Sequence, residues 1–290
     1  MGGTSPAPEI RQVSVVINPL AGSVPEEAEA RLQAVFDALG ITVRFEIMDH
    51  DCEEACQRAR EHNSDAVIVW GGDGTLACAL NTLGPDGPPL LPLAGGTMNM
   101  LPKMVHDQVD DIEACLRSVL QNPHMIELAA GEVEGRRFYV GALLGGLTRL
   151  AGPREALRKA DIVRAVTELA ETNAFGLDTP MRYRPDSGSG GNAQALGLFL
   201  SDQPGRPGFD VLATAPENIF DLAGKGLAGL LTDWRDVEGV DRAFARRVTV
   251  EALESTGIEA TLDGEPVSLP VTAEFRLIEG AARLLAARKT

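Results

Sequence analysis

The chain is short of positive charge, of cysteine and of long apolar runs, and each shortage excludes a class of protein. Its 26 lysines and arginines stand against 42 aspartates and glutamates, giving a formal net charge of −16 and a sequence pI near 4.7. A nucleic-acid partner needs a basic face to meet its phosphates, so no nucleic acid is expected. The same balance disfavours broad electrostatic docking on anionic lipid. Arg242, Arg246, Arg247, Arg283, Arg288 and Lys289 are the candidates for a local basic face, with solvated surface as the simpler account. No apolar run approaches the roughly 18–20 residues that span a bilayer. Met1 to Pro8 has neither the basic segment nor the apolar core of a secretory leader. The cytoplasm is therefore the expected compartment. The four cysteines, at 52, 56, 78 and 115, form no CxxC pair and have no histidine at zinc-site spacing. Cys52 and Cys56 are one helical turn apart, which reads first as two small half-buried residues on one helix face. No metal site is predicted.

What the chain does have is the balance of a globular protein, 44% hydrophobic and 23% charged over 290 residues, enough for two domains. Residues 1–125 alternate strand-like and helix-like segments, as in an α/β domain with a mainly parallel sheet. Strands are expected at Val13–Ile17, Thr42–Ile47, Ala66–Trp70 and Leu90–Leu93, the third being a continuous apolar run of the buried parallel kind. Helices are expected at Pro25–Leu39, stopped by Gly40, at Asp51–His62 with Asp51 as N-cap, at Leu76–Leu83 and at Asp110–Leu120. From about residue 126 to 280 the texture becomes antiparallel. A hairpin turns near Glu134-Gly135, strands follow at 194–200, 246–252, 258–262 and 271–278, and helices interrupt at 153–172 and 217–231. The expected fold class is thus an α/β domain with a mainly parallel sheet followed by an antiparallel, β-sandwich-like domain. The cleft between two such domains is the natural place for a site.

Gly71-Gly72-Asp73-Gly74-Thr75 lies between a buried strand and a helix. Glycines there permit positive φ and let backbone N–H groups come close to an anion. The helix N-terminus adds its dipole at the same point, which favours phosphate. Asp73 would repel that phosphate unless Mg²⁺ or a proton transfer gives it a purpose. Gly95-Gly96-Thr97-Met98-Asn99 repeats the pattern after the next strand, and Asn18-Pro19-Leu20-Ala21-Gly22-Ser23 follows the first. All three loops fall at the carboxyl edge of one parallel sheet, where open α/β sheets bind ligands. Far along the chain, Asp263-Gly264-Glu265 reads on its own as a hairpin turn.

Taken in order, Asn18-Pro19 with Gly22, the Gly71–Thr75 string, Gly96-Thr97-Met98-Asn99 and Asp263-Gly264-Glu265 resemble the diacylglycerol kinase catalytic-domain family. That family includes bacterial lipid kinases and the sphingosine and ceramide kinases. Thr232-Asp233-Trp234-Arg235 looks like the bacterial branch, and the likeness extends over nearly the whole chain. It implies an ATP- and Mg²⁺-dependent kinase acting on a hydroxyl of a lipid or lipid-like acceptor such as diacylglycerol, with transient peripheral contact at the inner membrane face. Asn18, Pro19, Gly22, Gly71, Gly72, Gly74, Thr75, Gly96, Thr97 and Asn99 would hold the nucleotide. Asp263, Glu265 and Asp73 would be the catalytic carboxylates. One of Asp263 and Glu265 would take the acceptor's proton, while the other orients it or helps to place Mg²⁺. The tail from about 280 to 290 would return to the first domain, and exposed sheet edges fit a homodimer. Two departures fall where acceptor contacts are expected. Relatives often carry an acidic residue at the place of Met100, with an arginine soon after, and often carry Phe-x-Asn where this chain has Phe138-Tyr139-Val140.

Two other readings compete. NAD kinases share the Gly-Gly-Asp-Gly-Thr loop, but their Asn-Asp/Glu pair and Thr-Pro-x-Gly-Ser segment are missing here. A nucleotide-binding regulator that has lost catalysis is the alternative outside the enzymes, and it gives no reason for Asp73, Asp263 and Glu265 together.

Overall fold

The computed structural model describes residues 9–145, 148, 180–201, 206–214 and 240–287. The helices expected at 153–172 and 217–231, the Thr232–Arg235 segment, Arg288 and Lys289 lie outside the described residues. The chain divides into two compact units, one running to Ala130 and resuming at Glu279, the other spanning Gly131–Ile278.

The first unit runs β1 (Gln12–Ile17), α1 (Ala28–Leu39), β2 (Thr42–Ile47), α2 (Cys52–Glu61), β3 (Ala66–Gly71), α3 (Asp73–Leu83), β4 (Leu90–Ala94), α4 (Met100–Val105) and α5 (Ile112–Gln121). Its strands pair in parallel in the order β2-β1-β3-β4, and the outer side of β4 pairs in parallel with the chain's last strand at Leu90–Leu284. All six residues of β3 are buried, as its apolar run requires when helices cover both faces of a sheet. On one face Val13, Val15, Ile17, Ile68 and Trp70 pack with Leu32 and Phe36 of α1 and Leu116 and Val119 of α5. Helices α2 and α3 pack on each other.

Local chemistry sets the helix ends. Asp51 caps α2 by accepting the Glu54 N–H at 3.1 Å, and Asp111 caps α5 through Ala114 N–H at 2.9 Å. Gly40 closes α1 in the left-handed region at φ 68°. Two helices begin elsewhere than expected. Pro25–Glu27 form a turn ahead of α1, in which the Ala28 N–H donates to the Pro25 carbonyl. Helix α3 begins at Asp73 rather than Leu76, so the last three residues of the glycine string are already its first turn.

After β5 (Pro123–Val133), the second unit contains β6 (Arg136–Phe138), β7 (Gly141–Gly145), β8 (Met181–Pro185), β9 (Gly191–Ala193), β10 (Ala195–Leu200), β11 (Phe209–Thr214), β12 (Val240–Ala245), β13 (Arg247–Ala252), β14 (Ile258–Leu262), β15 (Glu265–Leu269) and the start of β16 (Thr272–Ala287). One antiparallel sheet has the order β12-β11-β10-β7-β14-β15, and β16, β13, β8 and β9 pair antiparallel in a second. Alternate residues point inward, Met181 and Tyr183 from β8 and Val248 and Val250 from β13. They meet Leu196, Leu198, Phe209 and Leu262 of the other sheet in one core. Phe138 lies at its centre, stacked on Phe209 at 5.9 Å and edge-on to Phe275 at 6.3 Å. A Cβ at Gly131 would come within 2.0 Å of that ring, so the glycine makes room for it. The fold class is the expected one, a mixed α/β chain with a mainly parallel sheet and an antiparallel β-sandwich-like part. Strand β16 is longer than the expected 271–278. Its Ala- and Leu-rich second half is in strand, with Ala281, Ala282, Leu284 and Leu285 buried, so burial overrides helix propensity there.

Replacing Phe138 with alanine should lower the stability of the second unit by about 3–5 kcal/mol. Native-state hydrogen exchange of the β10 amides measures this, and unchanged protection would show that the core is not organised around the ring.

Candidate active site

The strand order reverses at β1 and β3. The chain passes from β1 outward to β2 and then returns to lay β3 on the other side of β1. Loops leaving the carboxyl ends of two such strands part above and below the sheet and open a crevice there. The segment after β1 contributes Asn18, whose side-chain amide donates to Thr75 Oγ1 at 2.9 Å, while its Oδ1 accepts the Leu20 N–H at 3.0 Å. Asn18 thus turns its own loop and links it across the switch point to the first turn of α3. Pro19 and Gly22 are exposed on that loop.

The two glycine segments lie on each other. The Gly95 N–H donates to the Gly71 carbonyl at 2.9 Å, and the Trp70 indole N–H donates to the Ala94 carbonyl at 3.0 Å. A Cβ on Gly95 would approach the Gly71 Cα to 2.9 Å, and one on Gly96 would approach the Gly72 Cα to 2.8 Å. The positive φ expected of these glycines does not occur, for none of Gly71, Gly72, Gly95 and Gly96 is left-handed. Gly95 and Gly96 provide clearance, letting their backbone rest on that of Gly71 and Gly72. Ser23 ties the first loop into the pair, its N–H donating to the Gly95 carbonyl and its hydroxyl to that of Gly96. Asn99, itself left-handed at φ 51°, accepts the Gly96 N–H at 2.8 Å and donates back to the Gly96 carbonyl at 3.0 Å. Thr97 is exposed at the tip.

This leaves the N-terminus of α3 facing the loops. Gly72 is its N-cap without a capping side chain, and the N–H groups of Asp73, Gly74 and Thr75 have no carbonyl within the helix to bond. Asp73 turns its carboxylate toward α4, accepting the Leu101 N–H at 3.2 Å. Burial pushes the Asp73 carboxyl above the ordinary aspartate range, opposed by the Leu101, Met100 and Asn99 N–H groups and by the charge of Lys103. Sequence reasoning missed α4, a single-turn helix following a left-handed asparagine, and therefore missed this capping duty of Asp73.

In the second unit, Asp263 and Gly264 are both left-handed, at φ 49° and 85°, between Leu262 and Glu265, which pair across β14 and β15. That is the two-residue hairpin read from Asp-Gly. The Asp263 carboxylate folds back and accepts the N–H groups of Tyr139, at 2.7 Å, and of Val140 and Gly141, each at 2.9 Å. The Asp263 N–H donates to the Gly141 carbonyl at 2.9 Å. Glu265 is exposed at the start of β15, and among the described residues no hydrogen bond holds its carboxylate. The structure therefore gathers Asn18, Gly71, Gly72, Asp73, Thr75, Gly96 and Asn99 into one set of contacts, and Asp263 with the Tyr139–Gly141 backbone into another. The unusual Phe138-Tyr139-Val140 segment meets Asp263 through backbone N–H groups, which any side chain at those positions would leave in place.

The first unit is thus an α/β fold with a glycine-built helix N-terminus at the switch point of its parallel sheet. Residues 12–130 match the family model of the diacylglycerol kinase catalytic domain. Crystal structures of two Bacillus anthracis str. Sterne proteins share the fold. One, described as a candidate diacylglycerol kinase, is 17% identical with a TM-score of 0.72, over 96% of this chain and 98% of that one. The other, described as a diacylglycerol kinase, is 16% identical with a TM-score of 0.70, over 96% and 97%. Among the described residues no helix is long and apolar enough to cross a membrane.

A Gly96→Ala variant should lose about 1–3 kcal/mol, because the added methyl meets the Gly72 backbone, which cannot move aside as a side chain would. Gly188→Ala, whose Cβ would meet nothing within 4 Å, serves as the control, and equal losses in the two would refute the packing account. The second expectation concerns pH. Because the folded-state pKa of Asp73 lies above its unfolded value, its favourable contribution is complete below the unfolded pKa and is lost as pH rises through the folded one. The stability of Asp73→Asn relative to wild type should therefore improve from about pH 3 to about pH 7. Urea titrations across that range check the sign, and a parallel pair of curves would show that the carboxyl is not penalised.

Proposed function

We propose that this chain transfers the γ-phosphoryl group of ATP to a hydroxyl on a lipid or lipid-like acceptor. The observation that carries the reading is the Asn18–Thr75 hydrogen bond across the switch point, at the first turn of α3, within the segment that matches the kinase family. The N–H groups of that turn, which have no carbonyl within the helix to bond, and the dipole of α3 favour a phosphate. Phosphoryl transfer asks chiefly for such positioning and for neutralisation of charge. Gly71, Gly72, Gly74, Thr75, Gly96, Thr97 and Asn99, with Asn18, Pro19 and Gly22, are the nucleotide-side residues in this reading.

Mg²⁺ fits as an ion carried by the phosphates. Among the described residues no group of three His, Cys, Asp or Glu is arranged to hold a metal, and nucleotide-bound Mg²⁺ commonly takes only one or two carboxylates besides phosphates and water. Asp73 is the sole carboxylate in the two glycine segments. The ion would supply charge neutralisation between the phosphate oxygens. Asp263 has its oxygens committed to three backbone N–H groups, so its assigned part is to orient the turn. Glu265, whose carboxylate is held by no hydrogen bond among the described residues, is assigned the acceptor's proton. The diacylglycerol kinase family makes a diacylglycerol the first acceptor to try, and a sphingoid base, a monoacylglycerol or phosphatidylglycerol would suit the same chemistry. Contact with the membrane is peripheral and transient in this reading.

The test is transfer of label from γ-labelled ATP, with Mg²⁺, into mixed micelles of each acceptor. Glu265→Gln should lose about 100-fold or more in turnover while still binding ATP, the usual scale for removing a general base. Asp263→Asn should lose activity together with thermal stability, since it replaces one of the two oxygens that accept three N–H groups by an amide nitrogen that can only donate. Tight ATP binding without transfer to any lipid would overturn the proposal.

A further inference from the structure

Three of the four cysteines converge immediately behind the glycine string. Cys52 opens α2, Cys56 follows one turn later on the same face, and α3, packed on α2, brings in Cys78. The Cys52 and Cys56 sulfurs lie 3.9 Å apart, and the Cys78 thiol is also in contact with that of Cys52. The Cys52 thiol in turn donates to the carbonyl of Thr75, at 3.6 Å. Cys115 is apart from them, buried in the core on the other face of the sheet. As they stand the three thiols do not form a metal-holding group, which leaves their own chemistry, oxidation to a disulfide.

We propose that Cys52 and Cys78 form a reversible disulfide, a thiol-modification site joined directly to the first turn of α3. Cys78 is the partner for two reasons. Side chains four apart on a helix have Cβ atoms about 5–6 Å apart, whereas a disulfide needs about 3.8 Å. Closing Cys52 onto Cys56 would therefore unwind the first turn of α2, while a bond between two helices carries no such demand. Cys52 and Cys78 are also both half-exposed, whereas Cys56 is fully buried and out of an oxidant's reach.

With a peroxide as oxidant, the Cys52 thiolate attacks one peroxide oxygen, the O–O bond breaks, and a water leaves once the departing oxygen is protonated. The sulfenic acid so formed is attacked by Cys78, the S–S bond closes and a second water departs. Each sulfur gives up one electron and the peroxide gains two. Contact with Cys56, together with burial, holds the Cys52 thiol up at about 12, so the attack is slow at neutral pH. Closure removes the S–H that bonds the Thr75 carbonyl. An effect on ATP affinity then follows if the nucleotide reading above holds, whereas the cross-link itself does not depend on it.

The experiment treats the full-length protein with hydrogen peroxide at several pH values, alkylates free thiols and maps peptides without reduction. A Cys52–Cys78 linked peptide is expected, with a rate rising about tenfold per pH unit, reversed by reductant and absent from Cys78→Ala, while Cys115 stays alkylated throughout. A Cys52–Cys56 link, or oxidation of Cys52 with no link, would overturn the assignment. ATP titrations of oxidised and reduced protein should differ by about fivefold or more, the low end of ordinary coupling between sites. A complete cross-link with equal affinities would overturn the coupling. A reduced protein that fails to bind ATP would instead overturn the nucleotide reading and leave the cross-link standing.

Discussion

The first unit depends on two strand ends being allowed to touch. Gly95 and Gly96 at the end of β4 lie so close to Gly71 and Gly72 at the end of β3 that a Cβ on either would run into their Cα atoms, and the Gly95 N–H donates to the Gly71 carbonyl. Everything nearby refers to that contact. It sets where α3 begins, it presents the Gly96 carbonyl to Ser23, and it brings α4 within reach of Asp73. Asn18 and Asn99 then fix the loops on either side by satisfying backbone and hydroxyl groups that would otherwise need water. The head of α3 is thus set by close backbone packing at a sheet edge. At that head the N–H groups of Asp73, Gly74 and Thr75 have no carbonyl within the helix to bond.

Much of this was legible in the sequence, and the remainder was hidden for identifiable reasons. The buried run Ala66–Trp70, the caps at Asp51 and Gly40 and the turn at Glu134-Gly135 announce themselves because each rests on nearby residues alone. The three loops could be placed on one edge of one sheet because parallel strands leave no other arrangement. The reason for the glycines could not be read that way. Positive φ is the usual local explanation, and the true one, a neighbour 24 residues along the chain, is a tertiary fact. Helix α4 was hidden because Met100-Leu101-Pro102-Lys103 has no periodicity long enough to detect, and its start depends on a left-handed Asn99. The second half of β16 was hidden because alanines and leucines favour helix until a sheet buries them.

The Asp263 turn shows how a short motif can be local and long-range at once. Its backbone is a plain hairpin turn, fully explained by Asp-Gly between paired strands. Its carboxylate reaches backbone N–H groups more than 120 residues earlier in the chain. Recognition of main chain by side chain tolerates substitution on the main-chain side. The Phe138-Tyr139-Val140 departure therefore need not disturb the turn, and the acidic residue is the member of the pair that cannot change.

The first unit is not continuous in sequence. Its parallel sheet is completed on the outer side of β4 by a strand near residue 284, after the whole second unit has been traversed. During synthesis, then, β4 leaves the ribosome long before its neighbour exists, as an apolar strand of five residues with one side unpaired. Such an edge is a template for pairing with other nascent chains. Pro92, in the middle of that strand, has no N–H to offer, and it interrupts the template for as long as the edge stays open.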